Sequence, residues 1–191
     1  MRKRIIEASK RGGLLLSLLV AVQVLVLTGM LLSQYAISWF GKEIELKTAP
    51  VDPRDIFYGD YVILNYEISR LPLAMSDRDK LNRGDSVYVL LRPSASDRRL
   101  YEAAGISTDK PKTEGDEVYI KARVQYVWEN GANEEVQLQY GLERYYVPEG
   151  TGMEWERRWN EQFQEQGDKL RVRVTVAPWG RAKVEELINE E

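Results

Sequence analysis

The stretch PVDPRDIFYGDYVILNYEI, residues 50–68, is where the chain changes from a membrane-type segment to a series of short strands. Gly59-Asp60 has the composition of a tight turn, because glycine accepts positive φ and aspartate bonds to nearby backbone N–H groups. Tyr61–Ile68 is rich in β-branched and aromatic residues, which predicts a strand. We expect Leu64 and Tyr66 to be core residues, with the Tyr66 hydroxyl reaching a buried acceptor. Strand alternation places on one face Asp60, Val62, Leu64 and Tyr66.

Upstream of this stretch, residues 14–37 carry no charge and are mostly apolar. As a helix they span about 36 Å, enough to cross a hydrocarbon core of about 30 Å. Residues 1–11 hold five basic side chains and one acidic side chain. The positive-inside bias therefore predicts a single-pass protein of the cell membrane, with a cytoplasmic N-terminus and an extracytoplasmic C-terminal domain. A cleaved signal peptide is the alternative, but the apolar block is longer than the apolar h-region of a typical signal peptide, which has about 7–15 residues.

These features divide the chain into four predicted parts. They are a cytoplasmic basic tail (1–13), a transmembrane helix (14–38), a juxtamembrane connector (39–49) and an exported β-rich domain (50–191). Beyond residue 11 lie 22 of the 27 basic residues and 29 of the 30 acidic residues. The exported part is therefore acidic, which does not favour nucleic-acid binding.

The chain contains no cysteine and no histidine. This excludes disulfides, thiolate chemistry, Ser-His-Asp catalysis and the usual zinc sites, since each needs a sulfur or an imidazole. We predict no cofactor and no metal site, because the spacing of Asp52, Asp55 and Asp60 fits no known calcium loop.

The pattern beyond residue 68 predicts a mainly β fold, either an antiparallel sheet or a partly open barrel or sandwich, with one packed helix. Alternation over 118–128 and 136–142 indicates two strands, and Asn130-Gly131 between them suits a hairpin. Further strands are expected at 172–176 and 181–188. Met153–Gln166 is the predicted helix, because its aromatic residues recur at four-residue spacing.

The octet Gly59-Asp60-Tyr61-Val62-Ile63-Leu64-Asn65-Tyr66 matches the G-D-Y-x-x-L-x-Y pattern after which a bacterial family, GDYxxLxY, is named. The chain resembles that family in its leading membrane segment, in residues 50–55, and in the second block YGLERYYVPEG at 140–150. The resemblance implies an uncharacterised protein with no assigned activity. Members are often encoded beside polytopic membrane proteins, which implies an integral membrane protein as partner.

The two blocks also suggest a functional surface. Alternation slips at Glu143-Arg144, which predicts a β-bulge, and bulges often re-aim side chains near sites. The alternative interpretation is an ion-pair network that braces the turns. No catalytic residue is assigned. The candidate surface consists of Arg54, Asp60, Tyr66, Glu143, Arg144, Tyr146 and Glu149.

A fainter likeness is to type I signal peptidases. Arg83-Gly84-Asp85-Ser86-Val87 is similar to one of their conserved boxes, and the segment around Lys121 is slightly similar to the box that holds their lysine base. Val51 stands where that family places its serine, and a lysine base without a hydroxyl nucleophile cannot run the covalent mechanism. The likeness therefore implies at most an inactive signal-peptidase-like domain.

These observations favour a non-catalytic envelope module that binds an integral membrane protein through its anchor and the adjacent β face. The rival hypothesis is a carboxylate- or lysine-based hydrolase of envelope material, and a buried Lys121 would support it. An exposed aromatic patch would favour binding. A small-ligand receptor, with a pocket beside Tyr66 or Tyr146, is the third hypothesis.

Overall fold

The structure is a computed structural model that describes residues 2–49, 61–77, 80–130, 133–146 and 170–189. The chain divides into two compact units, Met1–Trp39 and Phe40–Glu191. The predicted helix Met153–Gln166 lies outside the described residues.

The N-terminal helix α1 runs from Arg2 to Phe40. Within it, Leu15–Phe40 comprises 26 residues, and an 18-residue window of this segment has a mean hydropathy of 2.5. This segment spans about 39 Å at helical rise, and large apolar side chains such as Leu25 and Met30 are exposed along it. It is long and apolar enough to be a membrane anchor or a signal sequence.

The described residues of the second unit contain ten strands. They are β1 (Lys42–Lys47), β2 (Tyr61–Ile63), β3 (Arg70–Pro72), β4 (Ser86–Pro93), β5 (Tyr101–Ser107), β6 (Val118–Asn130), β7 (Asn133–Gln139), β8 (Arg144–Tyr146), β9 (Leu170–Val176) and β10 (Ala182–Asn189). Every pair of neighbouring strands is antiparallel, which confirms the predicted fold class.

The largest sheet has the strand order β3-β7-β6-β4-β5 and is nearly closed into a barrel. The segment that follows β3 contacts the opposite edge of the sheet, where Ser76 forms a parallel bridge with Ile106 of β5 and the Asp77 N–H donates to the Ile106 carbonyl at 3.0 Å. At that point the edge of β5 is paired. The neighbours β6 and β7 confirm the predicted hairpin, because Asn130 pairs with Asn133.

A second sheet has the order β1-β9-β10. Here the structure differs from the sequence interpretation, because β1 lies in the segment expected to be a connector. Ile44 and Leu46 alternate with charged residues and are buried in the core against β9. The Glu45 carboxylate is nearly buried as well, and it pairs with Arg171 at 3.2 Å. Arg171 also contacts Asp97 at 2.5 Å and so ties this sheet to the turn before β5.

The alternation along β6 changes at a bulge. The sequence pattern placed Tyr126 and Trp128 on the same face as Ile120 and Val124, which are buried. The register shifts between Val124 and Tyr126, and one extra residue turns the following side chains to the opposite face. Tyr126 is consequently 52% exposed and stacks beside Trp128 with ring centroids 6.2 Å apart.

The predicted strand Tyr61–Ile68 is shorter than the pattern indicated. Only Tyr61–Ile63 forms a strand, and a short 3-10 helix follows at Glu67–Ser69. The backbone N–H of Tyr66 donates to the Ser69 hydroxyl at 3.3 Å, and the Ser69 N–H donates back to the Tyr66 carbonyl. These local bonds favour the helical turn over a longer strand.

Candidate functional site

The two sequence blocks meet in the structure. β2 from the first block pairs with β8 from the second in a two-stranded sheet, with Tyr61 opposite Tyr146 and Ile63 opposite Arg144. The Leu64 N–H extends the pairing by donating to the Glu143 carbonyl at 2.8 Å. Two segments that lie far apart in the chain thus form one local structure, which we call the block junction.

Tyr66 lies inside the junction and is 1% exposed. Its hydroxyl donates to the Leu142 carbonyl at 2.8 Å, which confirms that Tyr66 is a core residue with a buried acceptor. Burial, together with the negative charge of Glu143, raises the pKa of the Tyr66 phenol well above its ordinary value. The phenol therefore stays neutral and acts as a hydrogen-bond donor.

Tyr140 makes the reciprocal contact from the second block. Its hydroxyl donates to the Ile68 carbonyl at 2.6 Å. Each of the two blocks therefore contributes one tyrosine hydroxyl that binds a main-chain carbonyl within, or next to, the other block. Burial raises the pKa of the Tyr140 phenol well above its ordinary value, and the charge of Glu143 adds to this effect. Tyr140 is not among the seven candidate residues, although it lies in the second block.

The Glu143 carboxylate is hydrogen-bonded to the main chain, because its Oε1 accepts the Tyr140 N–H at 2.5 Å. The bulge predicted at Glu143-Arg144 is not the feature that re-aims this segment. Gly141 adopts a φ of +78°, and residues 140–143 bend from the end of β7 in the barrel sheet into β8. A glycine at this position permits the left-handed conformation that the bend requires.

The outer side of the junction carries an aromatic and cationic surface. The rings of Tyr61 and Tyr146 lie 5.8 Å apart at 57°, and the Arg144 guanidinium lies 5.3 Å from the Tyr61 ring centre. Tyr146 is 69% exposed. We call Tyr61, Arg144 and Tyr146 the junction surface. Tyrosine and arginine are enriched at protein interfaces, and each offers a large contact area with a polar end.

The structure brings together four of the seven candidate residues. Tyr66 and Glu143 lie within or beside the core of the junction, while Arg144 and Tyr146 lie on its surface. The other three lie outside the described residues: Arg54, Asp60 and Glu149. Tyr61 joins the surface by cross-strand pairing, which single-strand alternation could not show.

Two further chemical features concern catalysis and metals. Lys121 is exposed, and its ammonium lies 5.7 Å from the centre of the Tyr88 ring. In the part of the chain that the structure describes, no group of three or more acidic side chains is placed to hold a metal ion.

A family model described as GDYXXLXY protein matches residues 23–187, from within α1 to within β10. No curated protein and no solved structure matches the chain. Nothing in these comparisons supports the likeness to signal peptidases.

Proposed function

The chain belongs to the GDYXXLXY protein family, and on that premise we propose that it is a membrane-anchored, extracytoplasmic and non-catalytic module that binds an integral membrane protein. The observation that carries this proposal is the junction surface, where Tyr61, Arg144 and Tyr146 cluster on a rigid backing. The partner would contact this surface while α1 keeps the domain at the bilayer.

The link between helix and domain supports a partner in the membrane. Only Gly41 separates the end of α1 from the start of β1. If the apolar helix spans the bilayer, so short a link keeps the domain next to the membrane surface. Integral proteins with extracytoplasmic loops are then the partners at the highest local concentration.

The construction of the junction supports binding through its outer side. The phenols of Tyr66 and Tyr140 and the carboxylate of Glu143 are all bonded to main chain, so the strands that present the surface are held in place. A surface that is rigid before binding loses less conformational entropy when a partner docks.

The hydrolase hypothesis has weaker support. A lysine base works when burial lowers its pKa, whereas Lys121 is exposed beside Tyr88. Glu143, the carboxylate in the junction, accepts a backbone N–H and so lacks the freedom expected of a general base.

Site-specific photocrosslinking in living cells tests the proposal. In one strain a benzophenone amino acid replaces Tyr146 of β8. In a second strain it replaces Tyr126, which is also exposed but lies on β6. We expect a crosslink to an integral membrane protein from position 146 and none from position 126. Equal crosslinking from both positions, or none from position 146 in cells that express the protein normally, would refute binding through the junction surface.

The membrane orientation has its own test. Because the chain lacks cysteine, a single introduced thiol reports its own location. We expect a membrane-impermeant maleimide to label Ser86→Cys in intact spheroplasts, and Lys3→Cys only after permeabilisation. The reverse labelling pattern would contradict the orientation. If the mature Lys3→Cys variant has lost the segment that contains position 3, the N-terminal helix is a cleaved signal sequence.

A further inference from the structure

A polar cleft of about 520 Å³ lies along the edge of β1 that faces away from β9, beside the turn that precedes β5. Its volume falls in the range of about 300–1,000 Å³ that is typical of small-molecule sites. The cleft shares no residue with the junction surface, so a ligand site here does not depend on the proposed function.

One wall of the cleft is held by a hydrogen-bonded group. The Lys42 ammonium donates to the Asp116 carboxylate at 2.8 Å and to the Asp116 carbonyl at 2.9 Å. The Tyr101 hydroxyl donates to the same carbonyl at 3.0 Å. Burial disfavours the charged form of Lys42, but the bonds to Asp116 and Tyr101 outweigh it and raise the pKa of the ammonium. This wall is therefore rigid, and its charges are matched.

The opposite rim is a turn whose backbone is fixed. The Asp97 carboxylate accepts the Arg99 N–H at 2.9 Å, and the Arg99 carbonyl accepts the Glu45 N–H at 2.9 Å. The second oxygen of Asp97 is taken by Arg171. The acidic group nearest in sequence to Arg98 and Arg99 is thus already engaged.

Arg98 and Arg99 extend from this rigid turn, both side chains are exposed, and both line the cleft. Their charges act on Asp116 and Asp97, respectively, only through space, because those carboxylates form their ion pairs with Lys42 and Arg171. Neither arginine forms an ion pair with any residue that the structure describes. Two neighbouring arginines that form no ion pair are suited to bind a tetrahedral oxyanion.

The backbone of β1 supplies a third donor. N–H groups along a strand alternate between its two edges, and the Glu45 N–H points away from β9 toward Arg99. By the same alternation, the Glu43 N–H points to the same edge as the Glu45 N–H, where the cleft lies. The lining side chains comprise four cations and three carboxylates, so the cleft carries a net positive charge in a domain that is acidic as a whole.

We propose that this cleft binds a phosphate ester, with the phosphate held by Arg98, Arg99 and the Glu43 N–H. The Glu43 carboxylate, which pairs with no cation among the described residues, accepts hydroxyl groups from the remainder of the ligand. This favours a polyol such as glycerol over an apolar alcohol. Two sources share this chemistry, a lipid headgroup and a soluble phosphate ester. A headgroup is within reach if α1 spans the bilayer, because the Cα atoms of Lys42 and Phe40 are at most about 7.6 Å apart along the chain.

Calorimetric titration of the full chain, purified in a phosphate-free maltoside detergent, tests the proposal. The probes are glycerol 3-phosphate and dioctanoyl phosphatidylglycerol, with glycerol and dioctanoylglycerol as phosphate-free controls. We expect saturable binding of at least one phosphate probe and of neither control. Binding of glycerol phosphate alone supports the site with a soluble ligand, and binding of the lipid alone supports it with a headgroup.

Two pairs of substitutions locate the binding. We expect R98Q/R99Q to weaken it by about tenfold or more, whereas R92Q/R123Q removes two exposed arginines elsewhere and changes affinity less than about twofold. Glu43→Gln removes a negative charge beside the phosphate but keeps a side-chain oxygen that accepts the ligand hydroxyl groups. It is therefore expected to strengthen binding, a gain that misfolding would not produce. Absence of binding by both phosphate probes, binding of the phosphate-free controls, or an equal loss in the two double variants would overturn the proposal.

Discussion

The turn between β9 and β10 packs against β6 through Gly180 and Pro178, and replacing the glycine tests how the two sheets are joined. Gly180 has a φ of +84°, and its carbonyl accepts the Lys121 N–H at 2.8 Å. A Cβ at this position would lie 2.7 Å from Tyr119 Cε2 and 3.1 Å from Lys121 Cγ. Gly180→Ala therefore brings both backbone strain and a steric conflict with a ring that is nearly buried.

Two contributions add to the cost of Gly180→Ala. Left-handed backbone costs alanine about 1–2 kcal/mol relative to glycine. Displacing the Tyr119 ring also weakens its hydrogen bond to the Pro178 carbonyl and its edge-to-face contact with Tyr88, together worth about 2 kcal/mol. We expect Gly180→Ala to lower the free energy of unfolding by about 3 kcal/mol.

The assay is urea unfolding of the full chain in detergent, followed by near-ultraviolet circular dichroism. Gly84→Ala is the matched control, because Gly84 has a φ of +93° and a Cβ added there would have no atom within 4 Å. It should cost only the strain, about 1–2 kcal/mol. Tyr119→Ala should reduce the cost of Gly180→Ala by removing the ring. Equal costs for the two glycine variants, with no dependence on Tyr119, would refute the packing argument.

Three further predictions concern buried polar groups. Tyr66→Phe should lower the free energy of unfolding by about 1–3 kcal/mol in urea titrations, because the Leu142 carbonyl loses its donor, whereas Tyr126→Phe at the surface should have little effect. The folded state raises the pKa of Tyr66 and Tyr140, so these phenols should not change the free energy of unfolding below the unfolded tyrosine pKa of about 10. Above that pH the unfolded chain loses the phenol protons first, and the free energy of unfolding should fall by up to about 1.4 kcal/mol per pH unit for each phenol. Tyr66→Phe should make this alkaline slope shallower, and an unchanged slope would contradict the assignment. Arg171→Ala should lower the free energy of unfolding by about 3 kcal/mol in the same assay, because it leaves the nearly buried Glu45 carboxylate with only a longer contact to Arg173. Lys183→Ala breaks a more exposed ion pair and should lower it by less than about 1 kcal/mol.

Local patterns predicted the parts of the fold that depend on one strand at a time. The core positions of Leu64 and Tyr66 followed from parity within eight residues, and the β6–β7 hairpin followed from two alternating runs around Asn130-Gly131. The apolar character of residues 14–37 was likewise a local property that indicated α1.

The parts that sequence analysis missed depend on partners far away in the chain. β1 was interpreted as a connector because its six residues are mostly charged, and Glu45 becomes a nearly buried residue only through Arg171, 126 positions later. The bulge after Val124 leaves no mark in the alternation of β6, so the outward direction of Tyr126 was not predictable. The cleft draws its lining from four separate segments, and Arg98-Arg99 looked like any solvated basic pair.

The position of the signature in the structure bears on what the family pattern encodes. Of the letters that the described residues cover, Leu64 and Tyr66 are buried, and Tyr66 bonds to the carbonyl of Leu142 in the second block. Tyr61 pairs across the strands with Tyr146 and contributes its ring to the surface. These residues join two distant segments and present aromatic rings. The requirement for building the block junction therefore explains the three letters of the pattern that stand at Tyr61, Leu64 and Tyr66, and we expect the function of this region to lie in what the junction contacts.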